Sequence, residues 1–122
     1  MRARSTTLHA IGLIIAEELS AALSTHTVWA LDVPPLRGRV NDTAGLLSKG
    51  VVSQLELVLR EFEQKDSTQI VVLTIPSLEG DVLEEFSLRV AEQWKIGQQG
   101  LDNGAIFIVS RADRKVRIEV GY

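Results

Sequence analysis

Gln69-Ile-Val-Val-Leu-Thr-Ile75, the stripe Leu83, Phe86, Val90 and Trp94, and Ala105-Ile-Phe-Ile-Val109 together decide the fold. The first stretch is a β-branched run without alternation, which predicts a strand buried on both faces. Pro76 and Gly80 punctuate its exit. The stripe recurs at the helical period and predicts a helix from Asp81 to about residue 95. Asp81 reads as its N-cap, with Glu84 as the capping-box partner, and Gly97 and Gly100 end it. Residues 105–109 form a second strand of the same two-faced character. A strand, a helix and a strand in this order imply a parallel, right-handed crossover.

Working outward, Arg111-Ala-Asp-Arg114 is a short polar turn, so the next strand returns as an antiparallel hairpin. In it Val116, Ile118 and Val120 alternate with Arg117 and Glu119, giving one apolar and one polar face. Arg117 and Glu119 read as a cross-strand surface pair, or as lining for a pocket. Upstream, Ser48 is an N-cap for an amphipathic helix over about 49–64, carried by Val51/Val52, Leu55, Val58/Leu59 and Phe62. Residues 38–45 read as loop, with Asn41 and Asp42 as turn formers. Pro34 and Pro35 make residues 31–35 an extended entry. The fold class is α/β: a three-layer α/β/α sandwich with a mixed sheet, a parallel β-α-β unit followed by an antiparallel hairpin. Strands apolar on both faces want helices on both sides. Only two helices precede Gly121-Tyr122, so the domain is expected to lack C-terminal covering helices.

The 122 residues suffice for one domain, and 45 % hydrophobic with 24 % charged residues is a globular balance. There is no cysteine, which removes disulfides, thiolate metal sites and cysteine nucleophiles. Both histidines, His9 and His26, fall in the first thirty residues, so a histidine triad or histidine metal site is not expected in the domain. Thirteen basic against sixteen acidic residues, a net charge of −3, argue against nucleic acid as a partner.

Residues 1–30 differ from the rest. Arg2 and Arg4 precede the apolar run 10–16, and Val28-Trp29-Ala30 provides a cleavage site before Leu31, the layout of a secretory signal. Glu17 and Glu18 interrupt it, and an amphipathic helix over about 7–24 is the alternative. The division is then 1–30 as signal peptide or N-terminal helix and 31–122 as the α/β domain, exported to the periplasm or cell envelope.

Candidate chemistry rests on oxygen. Asp42 lies before the first helix, and Asp102 and Asn103 before the second of the long strands. Carboxylates and amide carbonyls from separate loops are what a hard cation such as Ca²⁺ or Mg²⁺ requires, although Asn-Asp and Asp-Asn-Gly are also ordinary turn formers. Ser48 and Ser77 have no histidine partner. Gly97-Gln-Gln-Gly100 lacks the lysine ending of a phosphate loop and leads into a strand. Trp94 belongs to the helix stripe and reads as core.

Val40-Asn-Asp-Thr-Ala-Gly-Leu-Leu-Ser48, Thr68-Gln-Ile-Val-Val-Leu-Thr, Glu84-Glu-Phe, Trp94-Lys-Ile-Gly97, Asp102-Asn-Gly104 and Asp113-Arg-Lys-Val-Arg-Ile-Glu-Val-Gly-Tyr122 resemble the TPM domain family in order and spacing. The resemblance covers about residues 31–122. It implies the α/β/α sandwich and an exported protein. It also implies further helices after the Gly-Tyr pair, often followed by a membrane anchor, which this sequence does not contain. The family includes thylakoid-lumen proteins with acid phosphatase activity or photosystem II repair roles, and bacterial envelope proteins. The implied function is a divalent-cation (Ca²⁺) binding, protein-interaction or envelope-maintenance module. The alternative is a metal-assisted acid phosphatase acting on phosphomonoesters, with Asp42 or Asp102 as ligand or base. The implied metal set is Asp42, Asp102 and Asn103. The implied partner is an envelope or membrane protein, and the domain is expected as a monomer.

Overall fold

The computed structural model describes residues 30–98, 101 and 103–121. Both readings of residues 1–29, and the position of Asp102, lie outside the described residues. The elements run β1 (Val40–Asp42), α1 (Lys49–Asp66), β2 (Thr68–Ile75), α2 (Leu83–Trp94), β3 (Asn103–Ser110) and β4 (Lys115–Gly121). They form one four-stranded sheet in the order β1-β2-β3-β4, parallel through β3, with β4 antiparallel. The expected mixed α/β sheet is present.

β1 corrects the reading of 38–45 as loop. It is three residues long, and its pairing with Val72, Leu73 and Thr74 extends the parallel part of the sheet. Asn41 holds it in place: its amide donates to the carbonyls of Gly38 and Val72 and accepts the Arg37 N–H. A second clamp comes from α1, where the Glu56 carboxylate accepts the backbone N–H groups of Arg39 and Val40.

Ser48 caps α1 as expected, accepting the Val51 N–H. The helix runs two residues further than read and ends at Ser67 in the left-handed conformation. α2 starts later than read. Its N-cap is Val82, without a side-chain cap, so neither Asp81 nor Glu84 plays the expected capping role.

The two helices cover opposite faces. Phe86, Val90 and Trp94 of α2 pack with Val71, Leu73 and Ile75 of β2 and Ile106 and Ile108 of β3, all on one face by alternation. Leu31 and Val33 of the extended entry complete this core, and the Trp94 indole N–H is anchored on the Pro34 carbonyl at 2.9 Å. α1 packs on β1 and β2 from the other face. It does not reach β3 and β4, so two expectations are corrected there. β3 is not buried on both faces, because Phe107 is 38 % exposed. Of the two readings of Arg117 and Glu119, the surface pair is also corrected: Val116, Ile118 and Val120 are exposed, while the two charged residues turn toward α2. There Glu119 accepts from the Ser87 hydroxyl and from Arg117 Nε, each at 3.0 Å.

Three glycines fix the opposite margin of the sheet. A Cβ on Gly97 would stand 2.6 Å from the Gly121 carbonyl oxygen, and one on Gly104 would stand 2.6 Å from Ile96 Cγ2. Gly97 also adopts φ +77°, which glycine enters without strain.

Candidate functional site

Open α/β sheets gather ligands beyond the carboxyl ends of their parallel strands. Here that edge is built from the loops after β1, β2 and β3, and a carboxylate pins each one. Asp42 ends β1. Its Oδ1 accepts the Thr74 hydroxyl at 2.5 Å and the Leu46 N–H at 3.0 Å, and its Oδ2 accepts the Leu47 N–H at 2.9 Å. Burial pushes this carboxyl up, but the Thr74 hydroxyl and the N–H groups of Leu47, Leu46 and Gly45 outweigh it and hold it below the ordinary carboxylate range.

Asp81 follows β2. Its Oδ2 takes the Arg89 guanidinium at 2.5 Å and the Leu31 N–H at 3.1 Å, tying the extended entry to α2. Burial again opposes ionisation, and Arg89 with these N–H donors overrides it. Asp113 sits in the β3–β4 turn. It accepts the Ser110 hydroxyl at 2.7 Å and the Leu78 N–H at 2.8 Å, and the Ser110 bond leads in lowering its pKa. Backbone bonds from Arg111 and Ala112 to the carbonyls of Ile75 and Pro76 lock that turn to the β2 exit. The edge is therefore a braced platform whose acids are occupied by their own chain.

The residues expected to share a cation are not brought together. Asp42 lies beside Thr74, whereas Asn103 lies beside Thr68 at the other end of β2. Six residues of strand separate them, roughly 20 Å, so one ion cannot touch both. Asp102 is outside the described residues. Ca²⁺ takes about six to eight oxygen ligands, whereas the Asp42 carboxylate already carries three donors and shares its cleft with Lys49. Among the described residues, no three His, Cys, Asp or Glu side chains converge. The residues present at Asp42 do not fit a resident calcium ion.

Sequence reasoning missed Thr74, Ser110 and Asp113 as partners at this edge. The available signal was a hydroxyl inside an apolar strand: Thr74 and Ser110 are both buried, and a buried hydroxyl needs an acceptor.

A second feature is apolar. Phe107 and Ile118 stand opposite each other across β3 and β4, flanked by Val116 and Val120, on the face that α1 leaves open. On α1, Glu56 and Glu63 point toward the β1 side, because both bind Arg39. At 100° per residue, Val51, Leu55, Val58 and Phe62 fall on the other flank, the one away from β1. α1 thereby stands as a wall along one side of the bare β3–β4 face, a one-sided groove. Its floor is two strands wide, about 10 Å, the diameter of one helix. Among the described residues, the floor carries no charged side chain, since Arg117 and Glu119 alternate to the other face. The exposed parts of these residues total on the order of 500 Å², toward the upper end of what a monomer normally leaves bare.

The TPM domain family model matches residues 40–122. The N-terminal domain of a protein from P. gingivalis, solved by NMR, is similar with 31 % identity and a TM-score of 0.60, covering 68 % of this chain and 53 % of that one. The N-terminal domain of the cg2496 protein from Corynebacterium glutamicum is similar at 17 % identity with a TM-score of 0.59, covering 77 % of this chain and 62 % of that one. This chain thus spans about half the length of the first solved domain and under two-thirds of the second. No curated protein matches it.

Proposed function

This chain belongs to the TPM domain family, and on that premise we propose that it is an exported module of the cell envelope that acts by protein contact, the groove between α1 and β4 receiving an amphipathic helix on the face where the resemblance implies further covering helices. The observation that carries this reading is the uncharged floor of Phe107, Val116, Ile118 and Val120 beneath the α1 flank. A β3 of eight residues is about 26 Å long, which corresponds to a helix of about 17 residues. Helix-in-groove recognition uses such a floor, with apolar anchors at i, i+3, i+4 and i+7. Export is supported by the signal-like layout of residues 1–30 and by the resemblance.

Calcium binding and acid phosphatase chemistry receive less support from the geometry. Each would call on the Asp42 carboxylate, whose oxygens bind Thr74, Leu46 and Leu47.

The test is calorimetric titration with a synthetic 17-residue leucine-lysine amphipathic peptide. Micromolar binding that falls at least tenfold in Ile118→Glu, about 1.4 kcal/mol, supports the reading. Equal binding by both proteins, or filling of the groove by a second copy seen as concentration-dependent dimerisation, overturns it.

A further inference from the structure

At the margin of the sheet opposite the Asp42 platform, beside β1, lies a cavity of about 480 Å³ that neither the groove nor the braced edge uses. It is bounded by the approach to β1, the first residues of β2 and the end of α2. Its lining pairs cations with an aromatic wall: Arg37, Arg39 and Lys95 stand with Gln69, Val71 and Trp94. Leu36, 40 % exposed, and Trp94, whose indole is fixed by its bond to Pro34, form the apolar side of the cavity.

The polar part of the lining is rich in donors. Among the described residues, Glu63 is the only carboxylate that lines it, and its Oε2 is engaged by Arg39 at 2.7 Å. Arg39 is held from the other side by Glu56 at 3.3 Å, yet its Nε is buried without a partner. Such an orphaned donor costs about 1–3 kcal/mol. Among the described residues, Arg37 and Lys95 form no ion pair. The Gln69 Oε1 accepts the Gly97 N–H at 3.1 Å, which fixes the amide and leaves its N–H₂ free to donate. The cavity therefore presents guanidinium, ammonium and amide groups next to an indole, with three cations against one carboxylate among the described residues. That excess of positive charge selects a group that carries negative charge and accepts hydrogen bonds. The C-terminal end of α2 works against an anion here, and Lys95, its C-cap residue, offsets that dipole.

We propose that this cavity binds a small oxyanion with an apolar or aromatic body, its carboxylate or phosphate between Arg37 and Lys95 and its body against Leu36 and Trp94. The site is separate from the helix groove, and the proposal does not depend on that reading.

The experiment follows the Trp94 indole N–H and the Gly97 amide by NMR during titration with benzoate, phenyl phosphate, inorganic phosphate and benzyl alcohol. Saturable shifts with benzoate, with phenyl phosphate or with both support the proposal, and the stronger response tells carboxylate from phosphate. The R37Q/K95Q double variant, altered only at exposed side chains, should melt with the parent yet bind at least about tenfold more weakly. Four results would overturn it: no saturable shift with either aromatic anion, equal shifts with benzyl alcohol, inorganic phosphate binding as tightly as phenyl phosphate, or unchanged affinity in R37Q/K95Q.

Discussion

Asp42 accepts the hydroxyl proton of Thr74 at 2.5 Å, across the β1–β2 pair in which the two residues are direct neighbours. This bond links a three-residue strand to the central one, and the same carboxylate gathers the Leu46 and Leu47 N–H groups that shape the approach to α1. Thr74→Val should cost about 1–3 kcal/mol, the range for a buried hydrogen bond to a charged group. Asp42→Ala should cost more, since three donors lose their acceptor. In denaturant unfolding the double variant should fall short of the summed single effects, because both remove one interaction. Strict additivity would contradict this role.

Stability should depend on acid pH. Asp42, Glu56 and Asp81 all have folded-state pKa values below their ordinary ones. A depressed carboxyl contributes stability that is complete above its unfolded value, about 4, and is lost as pH falls through the folded one. The melting temperature should therefore be flat near neutrality and decline steeply on acidification below about pH 5. Asp81→Asn should melt lower at pH 7 and decline less steeply, because it binds fewer additional protons on unfolding. A parallel decline in both proteins would refute the assignment.

Glycine substitutions should separate two environments. Gly97→Ala and Gly104→Ala each force a Cβ into atoms 2.6 Å away and should destabilise by at least about 2 kcal/mol. Gly50, in the first turn of α1 with open space around its Cβ position, should tolerate alanine and gain about 0.4–1 kcal/mol. Thermal melts of the three variants check the contrast.

The long elements were legible because their patterns are dense. Residues 69–75, the stripe through Trp94 and residues 105–109 each carry enough apolar positions to fix type and order, and Ser48 marked the start of α1. β1 was not legible, since three residues carry no periodicity and Asn-Asp is statistically a turn. What makes Val40–Asp42 a strand is tertiary: the Asn41 and Glu56 bonds and the waiting edge of β2. That error carried into the candidate site. With residues 38–45 read as loop, Asp42 was free to approach Asn103, whereas on β1 it is committed to the far end of the sheet. Asp81 failed as a cap for a similar reason, because Arg89, two turns into α2, outbids the helix terminus for its carboxylate. Which way Arg117 and Glu119 turn was also invisible locally. Alternation identifies two faces, but which one turns inward depends on what lies above each.

Millimolar Ca²⁺ should leave the Leu46 and Leu47 amide resonances and the melting temperature unchanged, since the Asp42 oxygens are already occupied by protein donors. Saturable movement of those two amides during titration would restore the cation reading at this position.

The central claim is that the face left bare by α1 receives a helix, and a residue-by-residue map of amide and methyl shifts during titration with the 17-residue amphipathic peptide tests it most directly. The account predicts that the shifts concentrate on Phe107, Val116, Ile118, Val120, Val58 and Phe62, and that Val71, Leu73 and Ile108 on the α2 side stay still. Shifts centred on the α2 side or on the Asp42 platform, with the Phe107–Ile118 floor unmoved, would contradict it.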